Sequence, residues 1–249
     1  MADPVLSLHG LTKRYGALTV TDAVSLALEP GRIHAVIGPN GAGKTSLMQQ
    51  VSGFVHPDAG RIVLAGRDIT RLAPHRRARL GMARSFQVTS VLTEMPLLDN
   101  VAMAVQGRDG ARWGFFRAAA NETVFNEAAM AELAGVGLAD WADRPAASLG
   151  HGEKRQLELA IVLAQRPAVL LLDEPLAGSG PAETPRLVSL LTGLRGRCAI
   201  LLIEHDMAAV FALADTISVL DQGRLIATGP PEAIRNDPAV QAAYLGENL

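Results

Sequence analysis

The residues Gly38-Pro39-Asn40-Gly41-Ala42-Gly43-Lys44-Thr45 follow the apolar run Ile33-His34-Ala35-Val36-Ile37 and lead into Ser46-Leu47-Met48. They satisfy the phosphate-loop pattern G-x-x-x-x-G-K-[ST] at every fixed position, with a strand expected before and a helix, 44–52, after. Glycines at these spacings let consecutive backbone N–H groups turn toward one centre and keep Cβ atoms out of the way of a phosphate. A helix that starts at Lys44 adds its positive N-terminal end. Lys44 supplies a cation for β- and γ-phosphate oxygens, and Thr45, with Ser46 beside it, offers a hydroxyl to Mg²⁺. ATP and Mg²⁺ are therefore the expected ligands.

Working outward, Ala168-Val169-Leu170-Leu171-Leu172-Asp173-Glu174-Pro175 reads as a buried strand ending in two carboxylates. Ligands in open α/β sheets bind beyond the carboxyl ends of the strands, so both acids are expected at the site. Asp173 is assigned to the metal, and Glu174 to orienting the attacking water. An apolar strand ending in Asp-Glu is commonplace alone; downstream of a phosphate loop it reads as catalytic.

The remaining pattern alternates strand and helix. Short strands are expected at 5–8 and 24–28, a hairpin at 61–69, strands at 168–172 and 198–203, and helices at 153–165, 182–194 and 207–214. Gln222-Gly223 between 216–220 and 225–228 is a hairpin signal. From 96 to 149 clear strands vanish and 118–133 has helical spacing. The expected fold is α/β: a P-loop NTPase core with a mostly parallel sheet, an N-terminal antiparallel β subdomain and an inserted helical subdomain. One ATP-binding domain would fill 1–249, with its core and β subdomain at 1–95 and 150–249 and the helical subdomain at 96–149.

Composition narrows the class. With 49% apolar residues and 19% charged ones the chain is globular, and a net charge of -2 argues against a nucleic-acid partner. The single Cys198 excludes an internal disulfide. The six histidines show no metal-ligand spacing, so no zinc or iron site is expected. No export signal and no run of about 18 apolar residues is apparent, so membrane association is expected to come through a partner. The arginines between 71 and 84 read as a solvated helix face.

With the loop and the acid pair in place, the chain resembles the ATP-binding subunits of ABC transporters over essentially its full length. That resemblance implies roles for further residues. Tyr15, in Thr12-Lys13-Arg14-Tyr15-Gly16, resembles the family's aromatic platform for adenine. Gln87, in Arg84-Ser85-Phe86-Gln87, resembles the glutamine that touches Mg²⁺ and water and reports to the helical lobe. His205, in Glu204-His205-Asp206, resembles the switch histidine at the γ-phosphate. Leu149-Gly150-His151-Gly152-Glu153-Lys154-Arg155-Gln156 stands where the family's signature sequence belongs, with Gly150 in place of the usual serine and His151 in place of a glycine. Gly150, His151, Gly152 and Glu153 would then contact the nucleotide held by an opposing subunit.

The signature segment with Leu157-Glu158, the stretch from Leu176 to Thr184, Gly114-Phe115-Phe116-Arg117 and the ending Tyr244-Leu245-Gly246-Glu247 are similar to importers of branched-chain and other hydrophobic amino acids. That branch implies a second ATPase subunit, identical or homologous, two polytopic permease subunits and, indirectly, a substrate-binding protein. It also implies a cytoplasmic location on the inner face of the membrane. Alternatives are another transporter's ATPase (urea, amide, aromatic-acid or lipopolysaccharide), a soluble ABC-type ATPase, and a small-molecule kinase. The kinase does not account for the ordered set Gln87, Gly152, Glu174 and His205.

Overall fold

The computed structural model describes residues 3–85, 91–108, 118–180 and 183–243, with backbone alone for 118–122. Packing divides the chain into two units, one holding Met1–Arg84, Ala168–Ala177 and Leu191–Leu249, the other Ser85–Pro167 and Gly178–Leu190.

The first unit contains two sheets. Strands β1 (Leu6–Tyr15), β2 (Leu18–Leu28), β4 (Ala59–Leu64) and β5 (Arg67–Asp68) form an antiparallel sheet in the order β2-β1-β4-β5. β1 and β2 run longer than the apolar patches at 5–8 and 24–28. Register shifts between Leu8 and Arg14 let the pairing continue through polar residues to Tyr15↔Leu18.

The second sheet has the order β10-β9-β3-β8-β7-β6, from β3 (Ile33–Ile37), β6 (Met82–Arg84), β7 (Val169–Asp173), β8 (Ala199–Ile203), β9 (Thr216–Asp221) and β10 (Arg224–Gly229). All neighbours are parallel except the β9–β10 hairpin. Gln222 and Gly223 both have positive φ, 44° and 80°, as a type I′ turn requires. β3, β7 and β8 are buried at every position, which is why they read as apolar runs interrupted only by His34 and ended by Asp173. Helices α1 (Lys44–Ser52), α2 (Pro74–Arg79), α7 (Met207–Leu213), α8 (Pro231–Arg235) and α9 (Pro238–Ala243) complete this unit.

Arg77 and Arg84 correct the solvated-face reading of the arginines at 71–84. Arg77, on α2, is 1% exposed. Its guanidinium donates to the carbonyls of Gln50 (2.8 Å) and Val51 (2.6 Å) at the C-terminal end of α1, and to those of Leu72 (2.8 Å) and Thr70 (2.9 Å). A helix ends on carbonyls without intrahelical donors, and a planar fan of N–H groups satisfies several at once. Burial lowers the Arg77 pKa to about 10, so the side chain stays charged at neutral pH.

His34 is buried on β3. The Ala27 carbonyl, 3.2 Å from Nδ1, can only accept, so Nδ1 carries the proton. Nε2 then accepts from the Ser218 hydroxyl at 2.8 Å, which in turn sits 2.8 Å from the Thr228 hydroxyl. Burial disfavours the imidazolium and lowers the His34 pKa below 6.5. A depressed histidine pKa leaves stability whole above the unfolded value and removes it as pH falls toward the folded one. Stability is therefore expected to drop below pH 6.5 by up to about 1.4 kcal/mol per pH unit. In His34→Gln, thermal melts between pH 7.5 and 5.5 should show a flatter dependence, with the difference opening below about pH 6.5.

The second unit is helical: α3 (Leu97–Arg108), α4 (Ala118–Gly135), α5 (His151–Ala164) and most of α6 (Thr184–Thr192), around a core that includes Leu97, Val101, Ala129, Leu133 and Leu157. The buried Asn100 ties the preceding loop to α3. Its amide donates to the carbonyls of Leu92, Met95 and Pro96, and its Oδ1 accepts from the Leu92 N–H.

Candidate active site

Three adjacent parallel strands, β3, β8 and β7, bring residues of the expected site to one edge. β3 ends in the phosphate loop, β7 in Asp173-Glu174, and β8 in Glu204-His205. Pairing of Val36 with Ile203, and of Ile203 with Asp173, brings the three strand ends level.

The loop is fastened from behind. The Gly223 N–H donates to the Ala42 carbonyl at 2.9 Å, and the Gly223 carbonyl accepts from the Asp22 N–H at 2.8 Å. Gly43 has φ 104°, and a Cβ there would run into the Val20 carbonyl; Gly38 has φ 155°, and a Cβ there would run into the Leu220 carbonyl. Both positions demand glycine for close backbone approach. The Lys44 ammonium, buried, donates to the loop's own carbonyls at Gly38 (2.6 Å) and Pro39 (3.1 Å). Thr45 is exposed and Ser46 half-buried on the first turn of α1.

Asp173 is 5% exposed. Burial pushes its carboxyl above the ordinary value, and the Arg84 guanidinium opposes the rise, with Nη2 3.0 Å from Oδ2. Arg84 Nη1 also donates to the Ser52 hydroxyl at 3.1 Å, and the guanidinium lies 5.6 Å from the Phe54 ring centre. Sequence reasoning missed this pair because Arg84 sits in an arginine-rich run; its place on a strand beside β7 is a fact of pairing, not of spacing.

Glu174 takes a positive φ of 50° and donates its N–H to the Ile203 carbonyl at 2.9 Å. The turn thus holds Glu174 against the end of β8. Its Oε1 lies 4.0 Å from Nδ1 of His205, both side chains open to solvent. Asp206 caps α7, its Oδ1 accepting from the Ala209 N–H at 3.1 Å, so His205 stands between a strand end and a capped helix. Glu204, fully buried, was no part of the expected site.

Tyr15 ends β1, half exposed, with the Lys13 ammonium 5.4 Å from its ring centre. Asp58 grips that end of the strand, pairing with the Lys13 ammonium at 2.8 Å and accepting from the Arg14 N–H at 2.8 Å. Gln87 lies outside the described residues, as do Gly114-Phe115-Phe116-Arg117 and the ending from Tyr244.

Gly150, His151, Gly152 and Glu153 form the start of α5 in the second unit. Gly150 is the N-cap and Glu153 the third helical residue, whose carboxylate reaches back: a Cβ at Gly150 would lie 2.6 Å from Oε2. That carboxylate is the far end of a flexible side chain and would have to shift for any larger residue at 150. A Cβ at Gly152 would likewise lie 3.0 Å from the Glu183 carboxylate.

Comparison with known proteins places this architecture. The ABC transporter family matches residues 21–177, and the family described as branched-chain amino acid ATP-binding cassette transporter matches residues 224–248. The high-affinity branched-chain amino acid transport ATP-binding protein LivG of Escherichia coli K12 is 41% identical over 256 residues, covering 99% of this chain and all of that protein. The protein of the same description from Pseudomonas aeruginosa, BraF, is 40% identical over 254 residues, with 99% and 100% coverage. The lipopolysaccharide export system ATP-binding protein LptB of Haemophilus influenzae is 32% identical over 248 residues, 98% of each chain. Among solved structures, the ADP conformation of MJ1267, an ATP-binding cassette of an ABC transporter, superposes with a TM-score of 0.84 at 27% identity, covering 99% of this chain and 100% of that one. Phosphate loop, parallel sheet and full-length likeness agree: the chain belongs to the ABC transporter family, as its ATP-binding, ATP-hydrolysing subunit.

Proposed function

We propose that this subunit hydrolyses ATP at the shared edge of β3, β7 and β8 and thereby powers import of branched-chain amino acids through separate permease subunits. The level alignment of the phosphate loop, Asp173-Glu174 and His205 at three neighbouring strand ends carries the site reading. The names of the relatives LivG and BraF, and the family matched at 224–248, support the substrate class; identity to LptB is lower, 32% against 41%.

In this reading backbone N–H groups of Gly38, Pro39, Asn40, Gly41, Ala42 and Gly43 cradle the phosphates. Lys44 leaves its loop carbonyls to face β- and γ-oxygens. Tyr15 stacks on adenine. The donor set suits a small, hard cation, because Thr45 and Asp173 offer only oxygen, with Ser46 and Gln87 adjacent in the assignment. The ion pair with Arg84 runs through Oδ2 of Asp173. Mg²⁺, when bound, neutralises charge on the β- and γ-phosphate oxygens. Glu174 accepts a proton-bearing contact from the attacking water and orients it, and His205 holds the γ-phosphate side of that water.

Gly150, His151, Gly152 and Glu153 complete the site of an opposing subunit through backbone N–H groups and the α5 dipole. With Glu153 folded over Gly150, that contact relies on the main chain rather than a hydroxyl. The assembly contains a second ATPase subunit, two polytopic permeases and an external binding protein, with this chain on the cytoplasmic face. Among the described residues no helix is long and apolar enough to cross a membrane.

The test is transport. Proteoliposomes holding the assembled transporter and internal or external ATP, with the binding protein on the opposite side, should accumulate labelled leucine, isoleucine and valine only when MgATP is on the side of this subunit. Uptake of none of these, with another solute class driving ATP turnover instead, would overturn the substrate assignment and leave the ATPase assignment standing.

A further inference from the structure

Glu204 is an ionisable side chain with 0% exposure, placed between the two segments that hold the proposed catalytic groups. A carboxylate removed from water is costly unless strong donors replace its hydration. Here two backbone N–H groups do so. Oε1 accepts from the Leu176 N–H at 2.7 Å, and Oε2 from the His205 N–H at 3.0 Å. Leu176 lies two residues after Glu174; His205 is the switch residue itself.

The same turn is stitched once more, by the Glu174 N–H to the Ile203 carbonyl at 2.9 Å. The end of β8 therefore fixes both sides of the Glu174 turn, one bond through its backbone and one through the Glu204 side chain. His205 Nδ1 in turn stands 4.0 Å from Glu174 Oε1 and 3.9 Å from Glu204 Oε2.

We infer that Glu204 is a positioning residue for hydrolysis: one carboxylate, with one oxygen on each catalytic segment, sets the separation of Glu174 and His205. Only a group with two acceptors and no donor fits the place. An amide would turn its NH₂ toward one of the two N–H donors, break that bond and release one segment. Alanine offers no acceptor to either segment. This inference rests on the reading of Glu174 and His205 given above.

The experiment uses the assembled transporter and three variants. In Glu204→Gln, which keeps the volume, kcat for ATP is expected to fall about 10- to 100-fold, as misplacement of reacting groups by a fraction of an ångström does. KM for MgATP should stay within about threefold, because the phosphate loop is untouched. In a His205→Ala background, adding Glu204→Gln should cost less than about threefold more, since residues acting as one unit are not additive. Should Glu204→Gln not yield folded protein, Glu204→Asp, which keeps both acceptors on a shorter stem, is expected to show the same fall in kcat at constant KM. Wild-type kcat in the folded variant overturns the inference. So does a parallel loss in kcat and nucleotide affinity, or a full multiplicative loss in the His205→Ala background, because either marks a merely structural role. If Glu174→Gln is inactive while Glu204→Gln turns over normally, this inference alone falls; an active Glu174→Gln variant brings down the reading beneath it.

Discussion

Glu174→Gln is expected to lower ATP turnover by at least about a hundredfold while nucleotide still binds, the scale on which removing a positioned proton acceptor acts. The substitution keeps the side chain's volume and reach. It leaves the positive φ of 50° and the N–H bond to the Ile203 carbonyl, which belong to the backbone. Only the acceptor character of one oxygen and its charge are lost. The phosphate loop, with its Lys44 contacts and its glycine-dependent approach, is elsewhere on the strand edge and is not altered. Binding of a fluorescent ATP analogue should therefore match wild type within about threefold, so that kcat moves and ground-state binding does not. Phosphate release in the assembled transporter reads the first quantity and fluorescence titration the second. Near-normal turnover would remove Glu174 from its role; joint loss of turnover and binding would mean the turn had collapsed.

Arg77→Met carries the largest expected effect on stability. The methionine fills most of the same space but offers no donor, so the carbonyls of Val51, Leu72 and Thr70 lose their side-chain donor, while that of Gln50 keeps the Gly53 N–H at 3.2 Å. Each orphaned carbonyl costs about 1–3 kcal/mol, less where neighbours relax, giving a combined loss of about 3–5 kcal/mol. For a chain of this length that is a fall of about 6–20 °C in the thermal midpoint. Arg77→Lys is expected to recover only part, because a tetrahedral ammonium cannot span four carbonyls that a planar fork reaches. Gly53 reinforces the point: a Cβ there would lie 2.6 Å from Arg77 Nε, so the chain was left bare to admit the guanidinium. A shift smaller than about 3 °C in Arg77→Met would show that water replaces the fan at little cost.

The two results differ in how far the sequence announces them. Glu174 follows four buried apolar residues and a loop pattern, and both are local: spacing along the chain is spacing along a strand. The strands at 33–37 and 169–173, the helix at 44–52 and the Gln222-Gly223 turn were legible for the same reason. Arg77, Arg84 and Glu204 were not. Each is a charged residue in a polar-looking segment, and each owes its burial to carbonyls, N–H groups or a carboxylate brought from far along the chain. Arg84 meets Asp173 across 89 positions, and Glu204 meets Leu176 across 28. No periodicity encodes such partners. The length of β1 and β2 was underestimated because their polar halves pair edge to edge with register shifts rather than burying an apolar face.

The glycine of the β9–β10 turn joins the phosphate loop to β2 through two main-chain bonds. The shape of the anion cradle is thereby settled when the domain folds, and the entropy of ordering it is already spent before any nucleotide arrives. Affinity can then come largely from charge and N–H donors. What nucleotide changes is left to side chains such as Lys44 and to the parts outside that main-chain scaffold.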